Sequence, residues 1–221
     1  MVSLTSITLL IGPLAAHAET RSEAQASKAD GMRAWRRGDY EAAMHILPPF
    51  AEAGHPDAQN AIGEMLLSGQ GGPRRETAAT AWFRKAAFQG HARAQVNLGA
   101  MIERSPNIGA KEEAAGWYRR AAVQGFAPGQ HHLARLYEAG EGMPRNIGLA
   151  VFWYTKAVHQ NFAPSQFAIG LLRHDGIGLS RNLTEAKRWY QKAADQGLAE
   201  ARQALQELQS ADPLINRAEA R

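Results

Sequence analysis

From Asn182 the chain reads NLTEAKRWYQKAADQG. Its apolar and small residues, Ala186, Trp189, Tyr190, Ala193 and Ala194, fall at i, i+3, i+4, i+7 and i+8, the stripe that one face of a helix presents. Asn182 stands in the N-cap place with Glu185 three residues on, an arrangement like a capping box. Gly197 stands where a left-handed residue ends a helix. A second helical stripe opens at AQVNLGAMI, where Ala94, Leu98 and Met101 share a face with Gly99 beside them. Nowhere does the pattern alternate with the period of two that a half-buried strand requires.

The two stripes recur. The aromatic pairs Trp82-Phe83, Trp117-Tyr118, Trp153-Tyr154 and Trp189-Tyr190 are spaced by 35, 36 and 36 residues. Ala79, Ala114, Ala150 and Ala186 precede each Trp by three positions. Gly90, Gly125, Asn161 and Gly197 follow in step, and Asn146 and Asp39 occupy N-cap places matching Asn182. Small residues at Gly63, Gly99, Ala134 and Gly170 recur in the first helix, which predicts close helix–helix approach there. Self-similarity at this period is the mark of stacked hairpins, each too small to bury its own apolar face. The expected fold is an all-α stack of helix-turn-helix repeats of about 36 residues. The GEGMPRN run at Gly140 falls between the two helices of a unit, as do GQGGP at Gly69 and GIG at Gly176. A phosphate-gripping loop would follow a strand and end in Gly-Lys-Ser/Thr, so these glycines are expected to supply positive φ to an interhelical turn. ERSPNIGAKEE, in the second unit, is one residue shorter and lacks the paired glycines. Its turn should take another shape.

Composition narrows the setting. The net charge is +4, but basic and acidic residues are interspersed, so no stripe for nucleic acid forms. The absence of cysteine removes disulfides and thiolate metal sites. Residues 1–18 carry no charged side chain, hold an apolar run from Leu9 to Leu14, and end in Ala16-His17-Ala18. This is the pattern of a signal peptide cleaved after Ala18, although its first residues lack Lys and Arg. The run is too short to span a bilayer. The expected location is therefore periplasmic or secreted, without stable membrane insertion. Residues 19–54 read as a divergent helical lead unit, 55–197 as four repeats, and 198–221 as a capping helix with a frayed tail from Ser210.

The motif A-Q-x-x-L-G, then G-x-G-x-P, then A-x-x-W-Y-x-K-A-A-x-Q-G appears here as AQVNLG from Ala94, GEGMP from Gly140 and AKRWYQKAADQG from Ala186. These residues resemble the Sel-one-like repeat family, relatives of the tetratricopeptide repeat, over about residues 55–197. GMRAWRRGDYEAAMHILPPFAEAG, from Gly31, is similar to a divergent tetratricopeptide-type unit. The resemblance implies an all-α, right-handed α-solenoid (superhelix) and a scaffold or adaptor for protein complexes, often in bacterial envelopes or signalling. Cysteine-rich members have been linked to β-lactam binding through a cysteine pair in each repeat. This chain has none, so that inference does not carry over.

Solenoids bind through the exposed faces of successive helices. Gln59, Gln95, Gln130 and Gln166 form a column whose amides are expected to bond neighbouring turns or each other, because a repeated residue discriminates little between partners. Positions that vary within a column are the candidate partner-binding residues: Asn60, Val96, His131 and Phe167; Asn97 and His132; Glu64 and Arg135. Phe167 suits a core equally well. His131 and His132 are adjacent on a helix and point about 100° apart, so a shared metal is not expected. No catalytic residue, cofactor or metal is expected: HExxH and Ser-x-x-Lys are missing, and Gly178-Leu179-Ser180-Arg181-Asn182 fails the last place of G-x-S-x-G. The reading favoured is a non-enzymatic envelope adaptor binding a protein or peptide. The alternatives are an envelope enzyme or ligand-binding protein acting on peptidoglycan or a related glycan, which requires carboxylates or histidines of perturbed pKa gathered in one pocket, and a secreted host-directed effector.

Overall fold

The computed structural model describes residues 28–211; the signal peptide and most of the tail proposed above lie outside them. All the regular structure in the described residues is helical. In chain order it comprises α1 (28–37), α2 (Tyr40–Ile46), α3 (Pro48–Glu52), α4 (Pro56–Ser68), α5 (Glu76–Phe88), α6 (Ala92–Glu103), α7 (Ala110–Val123), α8 (Ala127–Ala139), α9 (Ile147–Val158), α10 (Ala163–Asp175), α11 (Leu183–Asp195) and α12 (Ala199–Ala211). Two compact units divide between Trp82 and Phe83, within α5.

In the first unit the expected second helix of the lead hairpin is broken in two. Pro48 and Pro49 carry no N–H for an i→i−4 bond, so α2 stops at Ile46 and α3 restarts with proline in its first turn, a position where that N–H is not needed. Leu47 at the break is fully buried among Met32, Ala43, Ala51, Ala58 and Met65. Gly31 makes room for it: a Cβ at Gly31 would lie 2.7 Å from the Leu47 side chain.

In the second unit each helix packs on its sequence neighbour, from α6 with α7 through to α11 with α12. The small-residue column is the slot into which the recurring tyrosines insert. A Cβ at Gly99 would come within 2.7 Å of the Tyr118 ring, and one at Gly170 within 2.6 Å of the Tyr190 ring. Ala134, fully buried, shares its core cluster with Tyr154. The first helix of a hairpin thus approaches the aromatic of the second helix. α12 closes the unit by burying Ala201, Leu205 and Leu208.

The helix ends follow the expected caps. Oδ1 of Asp39, Asn146 and Asn182 accepts from the backbone N–H of Ala42, Leu149 and Glu185 at 3.1, 2.9 and 3.0 Å. The reciprocal half of the box at Asn182 does not form. The Asn182 N–H donates to the Arg173 carbonyl, and the Glu185 carboxylate turns to the Arg173 guanidinium. Asn161, at φ +59, is the one non-glycine with positive φ among the described residues, and it ends its helix as Gly197 ends α11.

The paired turn glycines have different work. Gly140 is a left-handed C-cap whose N–H donates to the Leu136 carbonyl. Gly142 is also left-handed, but in addition its Cα abuts the α7 backbone at Lys111 and Glu112, so a Cβ there would collide with main chain. Gly71 does the same against the Tyr40 carbonyl, where a Cβ would sit 2.6 Å away. The shorter α6–α7 connection does differ: α6 ends on a right-handed Arg104, and the left-handed residue is Gly109 at the start of α7.

Candidate interaction surface

The glutamine column is a buried tie between repeats. Gln59, Gln95 and Gln130 donate through Nε2 to the carbonyls of Ala51, Ala87 and Ala122 at 2.9, 3.2 and 3.3 Å. The side-chain oxygens of Gln95 and Gln130 then receive from the end of the second helix of their own hairpin: Gln124 donates to Gln95 Oε1 at 2.8 Å and Gln160 to Gln130 Oε1 at 2.9 Å. Gln196 donates to Gln166 Oε1 at 2.7 Å. Gln166 departs from the pattern by donating to Asn161 Oδ1 at 2.7 Å, so the asparagine that replaces glycine also supplies the acceptor. Buried amides satisfied on both ends specify register as well as stability.

Two of the variable positions are withdrawn from solvent. Val96 is 7% exposed and belongs to the core around Tyr118 and Leu133; Asn60 is 2% exposed and donates to Glu64 Oε1 at 3.0 Å. Phe167 packs beside Tyr190 with ring centroids 5.4 Å apart, the core role the sequence also allowed. Asn97 is half-buried on α6. These four do not form a shared surface.

Glu64, the acceptor of Asn60, lies in the first unit, and His131, His132 and Arg135 lie in the second. Arg135 of α8 pairs through Nη2 with Glu103 Oε1 at the end of α6, and its Nη1 stands 3.7 Å from Glu141 Oε2 in the following turn. Glu141 Oε1 pairs with Lys111 Nζ of α7 at 2.7 Å. Tyr118 Oη of α7 donates to Glu103 Oε2 at 2.7 Å. The His132 ring stacks on the Tyr118 ring, centroids 4.7 Å apart and planes 13° from parallel. His131 Nδ1 lies 3.0 Å from Ser165 Oγ of α10, and its ring packs on Tyr154 and Phe162. Tyr154 Oη donates to Glu138 Oε2 at 2.7 Å.

Glu103, Glu138 and the two tyrosines were missed among the candidates. Their signal was in the sequence: an acid recurs late in the first helix, 35 residues apart, opposite the tyrosine that follows Trp117 and Trp153. Lys111 and Glu141 carry no such repetition, because a charge at a turn is common.

Burial alone would raise the Glu103 carboxyl, but the hydrogen bonds from Arg135 and Tyr118 and the guanidinium charge outweigh it and hold the group below its ordinary value. Burial, then the Glu103 bond and charge, push Tyr118 far up, and Tyr154 follows on Glu138 in the same way. Burial, then repulsion from His132 and Arg135, holds His131 down at about 3, and burial and Arg135 also lower His132. The Glu103 pair raises Arg135 against the opposing and larger effect of burial. Each shift moves its group away from neutrality. The cluster is a fixed array of charges and buried neutral rings, suited to docking a complementary surface. Among the described residues no group of three or more His, Asp or Glu is placed to hold a metal, and no helix is long and apolar enough to cross a membrane.

Helix hairpins recurring at this period, tied by buried amides and closed by an amphipathic helix, define an α-helical repeat protein. Sel1 repeats match residues 56–91, 92–126, 127–162 and 163–198, and the chain belongs to the Sel1 repeat family. A Sel1 repeat protein from Oxalobacter formigenes is similar over 81% of this chain and 72% of its own, at 32% identity and a TM-score of 0.71. A protective antigen of uropathogenic Escherichia coli strains with the same repeat fold is similar over 90% of this chain, at 30% identity and a TM-score of 0.72; the match spans only 44% of that longer protein. An immunity protein from Pseudomonas aeruginosa shares the fold at 18% identity, with a TM-score of 0.57 over 78% of this chain and 68% of its own. No curated protein matches the chain. Sel1 repeat proteins generally mediate protein–protein interaction, and their fold is typically a non-catalytic scaffold.

Proposed function

We propose that the chain is a non-enzymatic adaptor of the bacterial cell envelope, binding a protein or peptide across the α6–α8 face of its second unit. The observation that carries this is the Glu103–Arg135–Glu141–Lys111 array, half-exposed charges from successive repeats pinned in place by Tyr118. Ordering long side chains before the partner arrives lowers the entropy cost of association, and their alternating signs select a complementary pattern. A glycan-cleaving role would call for an acid raised towards neutrality. The Glu103 carboxyl moves the other way.

The envelope setting rests on the export pattern of residues 1–18. N-terminal sequencing of the exported protein should begin at Glu19; retention of residue 1 in a cytosolic product refutes that setting. For the adaptor role, crosslinking in periplasmic extract should capture a specific partner. Arg135→Glu should weaken capture at least tenfold while the circular dichroism stays helical. Absence of any specific partner, or unchanged capture by the variant, overturns the reading.

A further inference from the structure

The fourth repeat opens a cleft of about 600 Å³ between α9, α10 and α11. Val151, Ile169, Leu179 and Trp189 make its apolar surface, with Arg173, Glu185, Arg188 and Lys192 around them. The repeat before supplies an internal control, since the same place 36 residues earlier is plugged. There Tyr137 stands for Arg173 and Met143 for Leu179, and both pack with Trp153 against the core. The Tyr137 hydroxyl accepts from Arg119 Nη2 at 3.2 Å, which closes the space further. The rim there keeps one cation, Lys156 in the place of Lys192, but has Leu149 and Phe152 in the places of Glu185 and Arg188.

We propose that this cleft binds a small organic acid with an aliphatic or aromatic body, its carboxylate at the cationic rim and its body on the Trp189 floor. The volume is in the range that holds a small molecule, and an apolar lining with a few polar groups is the usual make-up of such a site. Three cations stand against one acid. Glu185 takes up only part of the Arg173 donor set: it accepts from Nε at 2.8 Å, while Nη1 donates to the Ser180 carbonyl at 3.1 Å. Arg188 is exposed and makes no ion pair among the described residues. Lys192 lies 4.3 Å from the Trp189 ring centroid, so its charge is already gathered at the floor. The inference concerns the outer side of the last hairpin and does not depend on the adaptor reading.

Octanoate, octanol and octylammonium, titrated while the Trp189 indole N–H is followed by NMR, test it. Octanoate should shift the Trp189 signal saturably and leave the Trp153 signal in place. Octanol should bind at least tenfold more weakly, and octylammonium weaker still, because each lacks the charge-assisted bonds. Arg188→Glu should weaken octanoate at least tenfold, Leu179→Trp should block it, and Glu185→Gln should tighten it. Retained shifts of the other indoles will show that the variants are folded. Equal affinity for octanol, no movement of Trp189, or an Arg188→Glu variant that binds like the parent overturns the proposal.

Discussion

The third and fourth repeats share one backbone plan and use it differently. In the third, Ala134 faces Tyr154, whose hydroxyl is held by Glu138, and Tyr137 fills the outer groove. In the fourth, Gly170 faces Tyr190, whose hydroxyl has no hydrogen-bond partner among the described residues, and Arg173 leaves the groove open. Burial, then the charges of Asp175 and Glu207, still raises Tyr190 to about 12. The slot for the tyrosine is architecture and both repeats keep it. What the hydroxyl and the groove meet is where repeats acquire their individual chemistry.

The turns give the largest contrast. Gly142→Ala places a methyl against α7 main chain in a left-handed conformation, and should cost about 2–4 kcal/mol in chemical denaturation, combining backbone strain and overpacking. Gly178→Ala places its methyl on the Ile147 Cγ2 methyl and not on main chain; rotation of that branched side chain relieves the contact only in part, so the loss should be smaller than at Gly142 but still measurable. Equal losses would show that conformation alone decides both sites.

The slots come next. Gly170→Leu should cost about 1–3 kcal/mol by overpacking against Tyr190. An unchanged melting temperature would place the helices further apart than described.

Tyr154→Phe should then cost about 1–2 kcal/mol, since it leaves the half-buried Glu138 carboxylate without its donor, while Tyr190→Phe should change stability by less than about 0.5 kcal/mol. Similar values for the two would erase the distinction between the repeats.

The smallest effect near neutrality is the pH dependence of the third repeat. His131 is neutral when folded and titrates at about 3, against 6.5 for an ordinary histidine. The unfolded chain therefore binds the extra proton between those values. Stability is full above pH 6.5 and falls as the pH drops towards 3, by at most about 1.4 kcal/mol per pH unit from this group. His132 adds in the same direction. Unfolding free energies at pH 7 and 5.5 should therefore differ less in His131→Asn than in the parent.

The architecture was legible because it is written in residues that recur: the Trp-Tyr pair, the small slot residue, the capping Asn and the terminal glycine each appear several times at one period. The double role of Gly142 was hidden, since a glycine needed for its φ and one needed because a neighbouring backbone lies against it look alike. The proposed binding face was legible only in part. Variation within a column pointed to His131, His132 and Arg135, but it also pointed to Val96 and Asn60, because a core position varies too when its neighbours compensate. The break between α2 and α3 follows from Pro48-Pro49, whose missing N–H groups end one helix and suit the first turn of the next.

The chain of side-chain amides has a direction. Gln166 gives to Asn161, Gln130 to Ala122 and Gln95 to Ala87, always from a later repeat to an earlier one. Every joint therefore offers the same socket and the same plug. A whole unit duplicated at such a joint would find both connections ready, whereas a change of length is absorbed in the interhelical turn, as in the shorter α6–α7 connection across which Gln124 still reaches Gln95. Growth by complete modules is thus a mutational route that this polarity leaves open.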